Sequence, residues 1–283
     1  MPVADVRGVK IHYEVVGGQG PWVSLAPGGR RGIAYVRDLA DRVAKGGFRV
    51  LIHDRRNCGA SETAFDDSAS EYEVWADDLD ALLTQLKASP CAIGGSSSGC
   101  RMSILMALRH PRAVKCLLLW RVTGGPAAAT RLARTYYQDY ADAARAGGMK
   151  AVCETEHFAE RIAERPENRE RLMAMDSKRF IEVMTNWREY FMKSMDLPII
   201  GATEADLKSI TVPACIVPGN DISHPPKVAE NLARLLPNAE LHRVQTRYHD
   251  ADLGPEEDWQ GDNLDRMAGI FVDVLRRATA VAA

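Results

Sequence analysis

The sequence predicts an α/β protein with a mostly parallel central sheet, helices on both faces of that sheet, and an inserted helical cap. Three observations support this prediction. Short apolar runs alternate with longer amphipathic segments over most of the 283 residues, as in parallel sheets covered by helices. The alternation stops once, at residues 126–207, where only a helical pattern continues. A Gly-Ser-Ser-Ser-Gly segment, residues 95–99, lies between an apolar run and a helical pattern.

The individual elements follow from the spacing of apolar residues, which recur every second position or in short runs in strands and every three to four positions in helices. The predicted strands are Val9–Val16, Trp22–Ala26, Arg49–His53, Cys91–Gly95, Val114–Trp120, Ala214–Pro218 and Glu240–Val244. The predicted helices are Tyr35–Lys45, Tyr72–Lys87, Cys100–Arg109, Lys227–Leu236 and Asn263–Thr279. Pro111 ends the third of these, because proline lacks an amide hydrogen and disfavours helical backbone in the residue before it.

The interruption is interpreted as a cap inserted into a single core. Residues 126–207 are rich in Arg, Glu, Ala and Met, and Pro166 and Pro198 divide them into helical segments. The strand pattern resumes immediately afterwards, at Val212-Pro213-Ala214, which argues against a separate helical domain. We therefore expect an organisation in which the cap is residues 126–207 and the core is residues 1–125 and 208–283.

Composition excludes several classes of function. The formal net charge is −2, with 46% hydrophobic and 26% charged residues, so no strong field favours nucleic acid or a membrane surface as partner. The six cysteines show no Cys-x-x-Cys spacing, which is typical of reduced thiols and not of disulfides or zinc ligands. Without a signal-like segment or a long apolar run, a cytoplasmic protein is expected. We expect no cofactor and a small-molecule substrate; a homodimer is left open.

Ser97 is the candidate nucleophile. It follows an apolar run and precedes a helical pattern, and of the three consecutive serines it alone has glycine at both the second position before and the second position after it. This sequence pattern is typical of a nucleophile elbow, a sharp strand-to-helix turn that exposes a serine hydroxyl. The flanking Gly95 and Gly99 let strand and helix approach each other closely.

Asp221 and His249 are the candidate acid and base, because a serine nucleophile needs a base that is oriented by a carboxylate. Asp221 follows the strand at 214–218, at the sheet edge where ligands bind in open α/β folds. His249 follows the next strand, in the loop 245–250. The chain order serine, acid, histidine is the one typical of this topology.

Other residues compete for these roles. Asp250 and Asp252 are neighbours of His249 but are interpreted as solvated loop charges. His224 is close to Asp221 and could line the pocket, although a structural role is preferred for it. The remaining candidates lack a position in a loop after a strand and are interpreted as structural: His53, His110, His157 and His242.

Together these features resemble the α/β-hydrolase fold family with a helical cap. Residues 54–61, Asp-Arg-Arg-Asn-Cys-Gly-Ala-Ser, are similar to the family's Asp-x-Arg-Gly-x-Gly-x-Ser segment and are interpreted as architecture. In the loop 26–32, Pro27 replaces the family's usual histidine. The resemblance then implies that the amides of Gly29 and Ser98 form the oxyanion hole, or that of Arg30 if the loop is rearranged.

Three residues are candidates for substrate binding. A guanidinium near the oxyanion hole could hold a substrate carboxylate, and Arg30 and Arg31 occupy that loop, although both could instead point to solvent. The cap carries an apolar face of methionine and aromatic residues that includes Trp187 and is able to cover a pocket.

The sequence predicts a serine hydrolase that cleaves a small, fairly apolar carboxylic ester or lactone through an acyl-enzyme. The same triad also serves carbon–carbon bond cleavage of a ring-fission diketone, so that reaction is an alternative. A third alternative is a small-molecule receptor that keeps the triad and does not turn over its ligand. Substrate identity is not readable from the sequence.

Overall fold

A single sheet of eight strands forms the centre of the protein, as seen in a computed structural model that describes residues 2–280. The strands are β1 (Val3–Val6), β2 (Val9–Val16), β3 (Trp22–Ala26), β4 (Arg49–His53), β5 (Cys91–Ser96), β6 (Val114–Trp120), β7 (Ala214–Val217) and β8 (Ala239–Leu241). Their order is β1-β2-β4-β3-β5-β6-β7-β8. β1 and β2 pair antiparallel with their neighbours and all other pairs are parallel. The predicted fold class is confirmed.

Helices cover both faces of the sheet. In the core they are α1 (Ala34–Lys45), α2 (Glu71–Gln85), α3 (Ser98–Arg109), α10 (Pro226–Leu235) and α11 (Gly261–Ala280). Buried residues of α1 and α11 share one hydrophobic cluster with one face of the strands, and those of α2, α3 and α10 share a second cluster with the other face. Within residues 2–280, no helix combines the length and the apolar content needed to cross a membrane.

A run of helices separates β6 from β7 in the chain. These are α4 (Pro126–Ala133), α5 (Asp139–Cys153), α6 (Glu156–Glu164), α7 (Glu167–Met173), α8 (Ser177–Lys193) and α9 (Glu204–Ser209), with a π-helical turn at Arg134–Gln138. α5 is kinked at Gly147 and Gly148, whose backbone is not helical. The expected cap, residues 126–207, spans α4 to α8 and ends inside α9.

The cap is attached to the core through aromatic packing and a buried amide. The Phe65 ring of the core lies 5.1 Å from the Phe180 ring and 6.2 Å from the Trp187 ring, both on α8. Asn168 of α7 accepts a hydrogen bond from the Thr63 amide and donates one to the Ser61 carbonyl. Since all of these groups are buried or nearly so, the cap and the core share one hydrophobic interior.

The Asp54 carboxylate organises the loops beside the site, in agreement with the architectural interpretation of residues 54–61. It accepts hydrogen bonds from the amides of Ile33 (2.7 Å) and Ala60 (2.9 Å) and pairs with His12 Nδ1 at 2.7 Å. Asp54 is 2% exposed, and a side chain at Gly59 would meet its carboxyl carbon at 2.1 Å. The segment after β4 is thus folded around a single buried carboxylate.

Two strands differ from the prediction. β1 was not predicted; it pairs with β2 through a tight turn at Arg7 and Gly8, which both have positive φ, as two-residue hairpins of this kind require. The last strand is shorter and begins earlier than the predicted 240–244, and the His242 amide makes a further bond to the Ile216 carbonyl of β7.

Candidate active site

Ser97 lies on a strained turn between β5 and α3, as the elbow motif predicts. Its φ is +51°, a left-handed backbone conformation that is unfavourable for a residue with a side chain. The flanking glycines are required by contact: a Cβ at Gly95 would meet the Gly99 carbonyl carbon at 2.4 Å, and one at Gly99 would meet the Ala26 oxygen at 2.7 Å. The turn holds the Ser97 hydroxyl at the carboxyl edge of the sheet.

His224, and not His249, is the histidine beside the serine. His224 Nε2 lies 3.0 Å from Ser97 Oγ, and His224 Nδ1 lies 2.7 Å from Asp221 Oδ1. Both residues belong to one tight turn after β7, in which the His224 amide also donates to Asp221 Oδ1 at 2.9 Å. The three side chains form one hydrogen-bonded path from carboxylate to hydroxyl, the arrangement that activates a serine.

The expectation that His249 is hydrogen-bonded to Ser97 is wrong in this structure. His249 Nε2 lies 2.7 Å from Asp258 Oδ2, and the His249 amide donates to the Asn220 carbonyl. The ring is thus held within the loop after β8, while the position beside the serine is filled by His224. The interpretation of His224 as structural is corrected by the same contacts.

The sequence carried a signal for this arrangement in the spacing Asp221-Ile222-Ser223-His224. Residues three apart in a tight turn can face each other, and here an isolated bridge joins Asp221 to His224. The rule that the base follows the last strand outweighed that local signal.

Asp221 is a fully buried carboxylate surrounded by donors. Its Oδ2 accepts from the Gly254 amide at 3.0 Å and lies 3.4 Å from Arg121 Nη2. Burial alone would raise the pKa of Asp221, but the His224 hydrogen bond and charge, the Gly254 amide and Arg121 together lower it to about 2. Asp221 is therefore ionised under ordinary conditions.

His224 is neutral at neutral pH. Burial is the largest influence and lowers its pKa below the usual 6.5, and the Arg121 charge acts in the same direction. The hydrogen bond and charge of Asp221 oppose the shift and do not cancel it. With Nδ1 facing the Asp221 carboxylate, the proton of a neutral ring belongs on Nδ1, which leaves Nε2 free to accept the hydroxyl proton of Ser97.

Thr123 is a second group in contact with Ser97, and the sequence did not predict it. Its Oγ1 lies 2.8 Å from Ser97 Oγ, and the residue is fully buried after β6. When Ser97 donates its proton to His224, the Thr123 hydroxyl is the donor in the remaining bond. Thr123 thus helps to set the orientation of the serine oxygen.

The predicted oxyanion loop lies directly beside Ser97. A Cβ on Gly28 would meet the Ser97 Cβ at 3.2 Å, and Gly29 lines the same cavity with a φ of +54°. The Ser98 amide is the first of α3, where amides have no partner within the helix. That both amides donate to an oxyanion remains a prediction.

Arg55 fixes this loop from behind, although its segment was interpreted only as architecture. Its Nη2 donates to the Gly29 carbonyl at 2.8 Å and its Nη1 to Ser98 Oγ at 3.0 Å. Ser98 Oγ also donates to the Gly29 carbonyl at 2.6 Å. The guanidinium lies over the Trp75 ring at 4.4 Å and is 1% exposed, so both predicted oxyanion residues are tied to the core.

A cavity of 530 Å³ opens above Ser97 and His224. Its wall includes apolar residues from the core and the cap: Leu132, Tyr136, Leu253, Trp259, Leu264 and Met267. Arg31 also lines it, with its guanidinium 2.8 Å from Glu256 and 4.3 Å from the centre of the Tyr35 ring. The prediction that Arg31 contacts substrate therefore stays open.

Arg30 and Trp187 differ from their predicted roles. Arg30 lies at the cavity wall, but it is 6% exposed, pairs with Glu71 at 2.9 Å and neither points to solvent nor has a free charge. Three tyrosine rings of the cap surround its guanidinium, so it links cap and core. Trp187 is buried away from the cavity and donates to the Ala69 carbonyl at 3.1 Å; its expected substrate contact is wrong.

The sheet order, the strained serine and the inserted helices together form the α/β-hydrolase fold. The family model described as alpha/beta hydrolase fold matches residues 21–155. Solved structures of the same fold superimpose on nearly the whole chain. The family-model match covers just under half of the chain, and together with these structures it shows the α/β-hydrolase fold.

Individual relatives are distant. The chain is 31% identical over 114 residues to the uncharacterized hydrolase YraK of Bacillus subtilis, a match that covers 40% of this chain. It spans about two fifths of the length of the curated relatives it matches. The enol-lactonase of Burkholderia xenovorans has a TM-score of 0.64 at 22% identity, over 97% of this chain and 100% of that one. The meta-cleavage product hydrolase CumD of Pseudomonas fluorescens has a TM-score of 0.67 at 18% identity, over 98% of each chain.

Proposed function

We propose that the protein is a serine hydrolase that cleaves a small carboxylic ester or lactone through an acyl-enzyme. The observation that supports this most directly is the continuous hydrogen-bonded path from Asp221 through His224 to Ser97. Each member has the protonation state that the reaction needs: an ionised acid and a neutral base beside a strained serine.

In the proposed reaction, Ser97 Oγ attacks the substrate carbonyl while His224 Nε2 takes the hydroxyl proton. Asp221 holds the proton on Nδ1 and stabilises the imidazolium that forms. His224 then gives its proton to the leaving oxygen, and the acyl group stays on Ser97. Water attacks the acyl-enzyme by the same route, with His224 again as base, and releases the acid.

The negative oxygen of each tetrahedral intermediate is assigned to the amides of Gly29 and Ser98. Their positions beside Ser97 and at the positive end of α3 suit them to this role. Arg55 keeps the loop in place by holding the Gly29 carbonyl. Loss of one such donor typically costs about 3 kcal/mol of transition-state stabilisation.

The cavity supports a small substrate. A volume of 530 Å³ is within the range typical of small-molecule sites, roughly 300–1,000 Å³. Leucine, methionine and aromatic side chains form much of its wall, which suits an acyl chain of a few carbon atoms. Cap residues, among them Leu132 and Tyr136, form part of the wall, so we expect the cap to limit substrate size.

The test is hydrolysis of short-chain nitrophenyl esters by the wild type, Ser97→Ala and Ser103→Ala. Ser103 is a matched control, because its buried hydroxyl donates within α3 to the Gly99 carbonyl and does not reach the cavity. We expect Ser97→Ala to lose at least about 10⁴-fold in kcat and Ser103→Ala to retain its activity. Hydrolysis that survives in Ser97→Ala contradicts the assignment.

The same panel distinguishes the alternatives. Turnover of a ring-fission diketone without ester cleavage assigns the site to carbon–carbon hydrolysis. Thermal stabilisation by a ligand that is not turned over identifies a receptor.

A further inference from the structure

Four guanidinium groups line the cavity, and they differ in whether a carboxylate of the protein neutralises their charge. The arginines that line it are Arg30, Arg31, Arg121 and Arg131. A buried or half-buried arginine normally has a carboxylate partner, since the isolated charge is costly to desolvate. The partners of each therefore show which charge is available to a ligand.

Three of the four are paired within the protein. Arg30 pairs with Glu71 at 2.9 Å. Arg31 and Arg121 share Glu256, at 2.8 Å and 3.3 Å, and Arg121 also faces Asp221.

Arg131 is different. Within residues 2–280, no carboxylate lies within 4.0 Å of its guanidinium, and its protein partner is the Ser223 hydroxyl. Ser223 in turn donates to the Asp252 carbonyl at 2.6 Å. Among the described residues, none forms a hydrogen bond with the other Arg131 nitrogens, and these nitrogens are not fully buried. A half-buried guanidinium with free donors therefore faces the cavity from α4.

Arg131 lies close to the residues of the proposed reaction. Its one partner, Ser223, is adjacent in the chain to His224, and all three residues line the cavity with Ser97. A ligand that binds Arg131 is thus held in the cavity that Ser97 lines, next to the turn that carries the base. The acidic residues at the cavity do not compete for Arg131: Glu256 is held by two other arginines, and Asp38 is exposed on α1.

We propose that Arg131 binds a carboxylate of the substrate, so that the substrate is a short ester or lactone bearing a second, ionised carboxyl group. A guanidinium presents a planar set of donors that matches a carboxylate, and the bond strengthens where water is partly excluded. This proposal rests on the proposed function and adds a substrate class to it. Carboxylate binding, which the sequence suggested as a possible role of Arg30 and Arg31, is thus proposed here for an arginine of the cap.

The test compares two esters with acyl groups of equal length, one neutral and one charged: 4-nitrophenyl pentanoate and mono-4-nitrophenyl glutarate. The ratio of their kcat/KM values is measured for the wild type, Arg131→Gln and Arg134→Gln. Arg134 is the matched control, since it is an exposed arginine one turn further on that pairs with Asp139 at 3.4 Å. We expect Arg131→Gln to lower the charged-to-neutral ratio by about tenfold or more, through KM, and Arg134→Gln to leave it unchanged.

An unchanged ratio in Arg131→Gln overturns the carboxylate site, whatever the absolute rates. A binding measurement separates this from failure of the hydrolase assignment. Monomethyl glutarate is titrated calorimetrically into Ser97→Ala and into Ser97→Ala with Arg131→Gln, which needs no turnover. We expect about tenfold weaker binding in the double variant; equal affinities overturn the proposal even if neither ester is cleaved.

Discussion

Arg55 donates a hydrogen bond to the carbonyl of Gly29, which joins the core of the protein to the loop predicted to bind the oxyanion. This bond restricts rotation of the Gly29–Arg30 peptide, and it thereby limits the movement of the preceding Gly29 amide. The Ser98 hydroxyl, at the start of α3, accepts a hydrogen bond from Arg55 and donates one to the same Gly29 carbonyl. Arg55 is therefore a positioning residue for the proposed reaction.

Replacing Arg55 by methionine is expected to lower kcat by on the order of 10²-fold, because misplacing a donor by about 1 Å has effects of that size. KM should change less, since Arg55 is not among the cavity residues. The control is Arg49→Met: Arg49 also donates to a glycine carbonyl, that of Gly20, and also stacks on a tryptophan at 4.4 Å, far from the site. Equal losses of kcat in both variants would show that Arg55 acts only on stability.

Replacing His224 and replacing His249 are expected to have very different effects on kcat. His224→Ala should lose at least about 10³-fold in kcat, because it removes the base that contacts Ser97. His249→Ala should remain within about tenfold of the wild type, because its ring contacts Asp258 in the loop after β8. Steady-state kinetics on one nitrophenyl ester suffices. The reverse pattern would mean that the functional enzyme uses His249.

The pH dependence of kcat/KM follows from the charge state of His224. The base must be neutral, so activity falls as the pH falls through the folded-state pKa of His224. Burial and Arg121 lower that pKa, so the acid limb should have its midpoint below 6.5. Arg121→Gln removes a cation that disfavours the protonated ring, and it should move the midpoint to higher pH. Arg276→Gln, on the exposed side of α11, should leave it in place.

Thr123→Val tests the second contact of the serine. Valine keeps the shape of threonine and removes the hydroxyl that lies 2.8 Å from Ser97 Oγ. With the serine less constrained, kcat should fall by roughly tenfold, the size of one neutral hydrogen bond. Thr185→Val is the control, since its hydroxyl donates within α8 to the Ile181 carbonyl. An unchanged kcat in Thr123→Val removes Thr123 from the proposed site.

Asp54→Ala tests the architectural carboxylate. The change leaves the buried amide of Ile33 and the partly buried amide of Ala60 without an acceptor, so the free energy of unfolding should fall by about 3 kcal/mol. Asp250→Ala, at an exposed position without a hydrogen-bonded partner among the described residues, should change it by less than about 0.5 kcal/mol. Urea denaturation of the two variants provides the measurement.

Much of the fold could be predicted from the sequence because local signals and tertiary structure agree. Gly95 and Gly99 around Ser97 identify both the turn and the residue it exposes, since only glycines tolerate the contacts found there. Seven apolar runs mark seven strands. The eighth, β1, is short and half exposed at the sheet edge, where burial leaves little trace in the sequence.

The hydrogen-bond partners of Ser97 were harder to predict from the sequence, because they depend on how the loops fold back onto the sheet edge. Asp221 was found from its place after a strand, but the choice between His224 and His249 depends on a turn whose geometry a general rule of chain order does not encode. Trp187 is a second example. Periodicity identifies it as a buried aromatic residue of the cap, but does not tell whether its side chain faces the cavity or the interior of the cap.

The tight turn after β7 has a consequence for how this protein could diversify. Acid and base lie three positions apart, so a single four-residue segment carries two of the three residues of the relay. The polypeptide after β8 supports this segment through main-chain groups: the Gly254 amide donates to Asp221, and the carbonyls of Ala251 and Asp252 accept from the amides of Ile222 and Ser223. A side chain of that stretch such as Leu253, which lines the cavity and makes no hydrogen bond in the relay, can therefore vary and change the ligand preference without altering proton transfer.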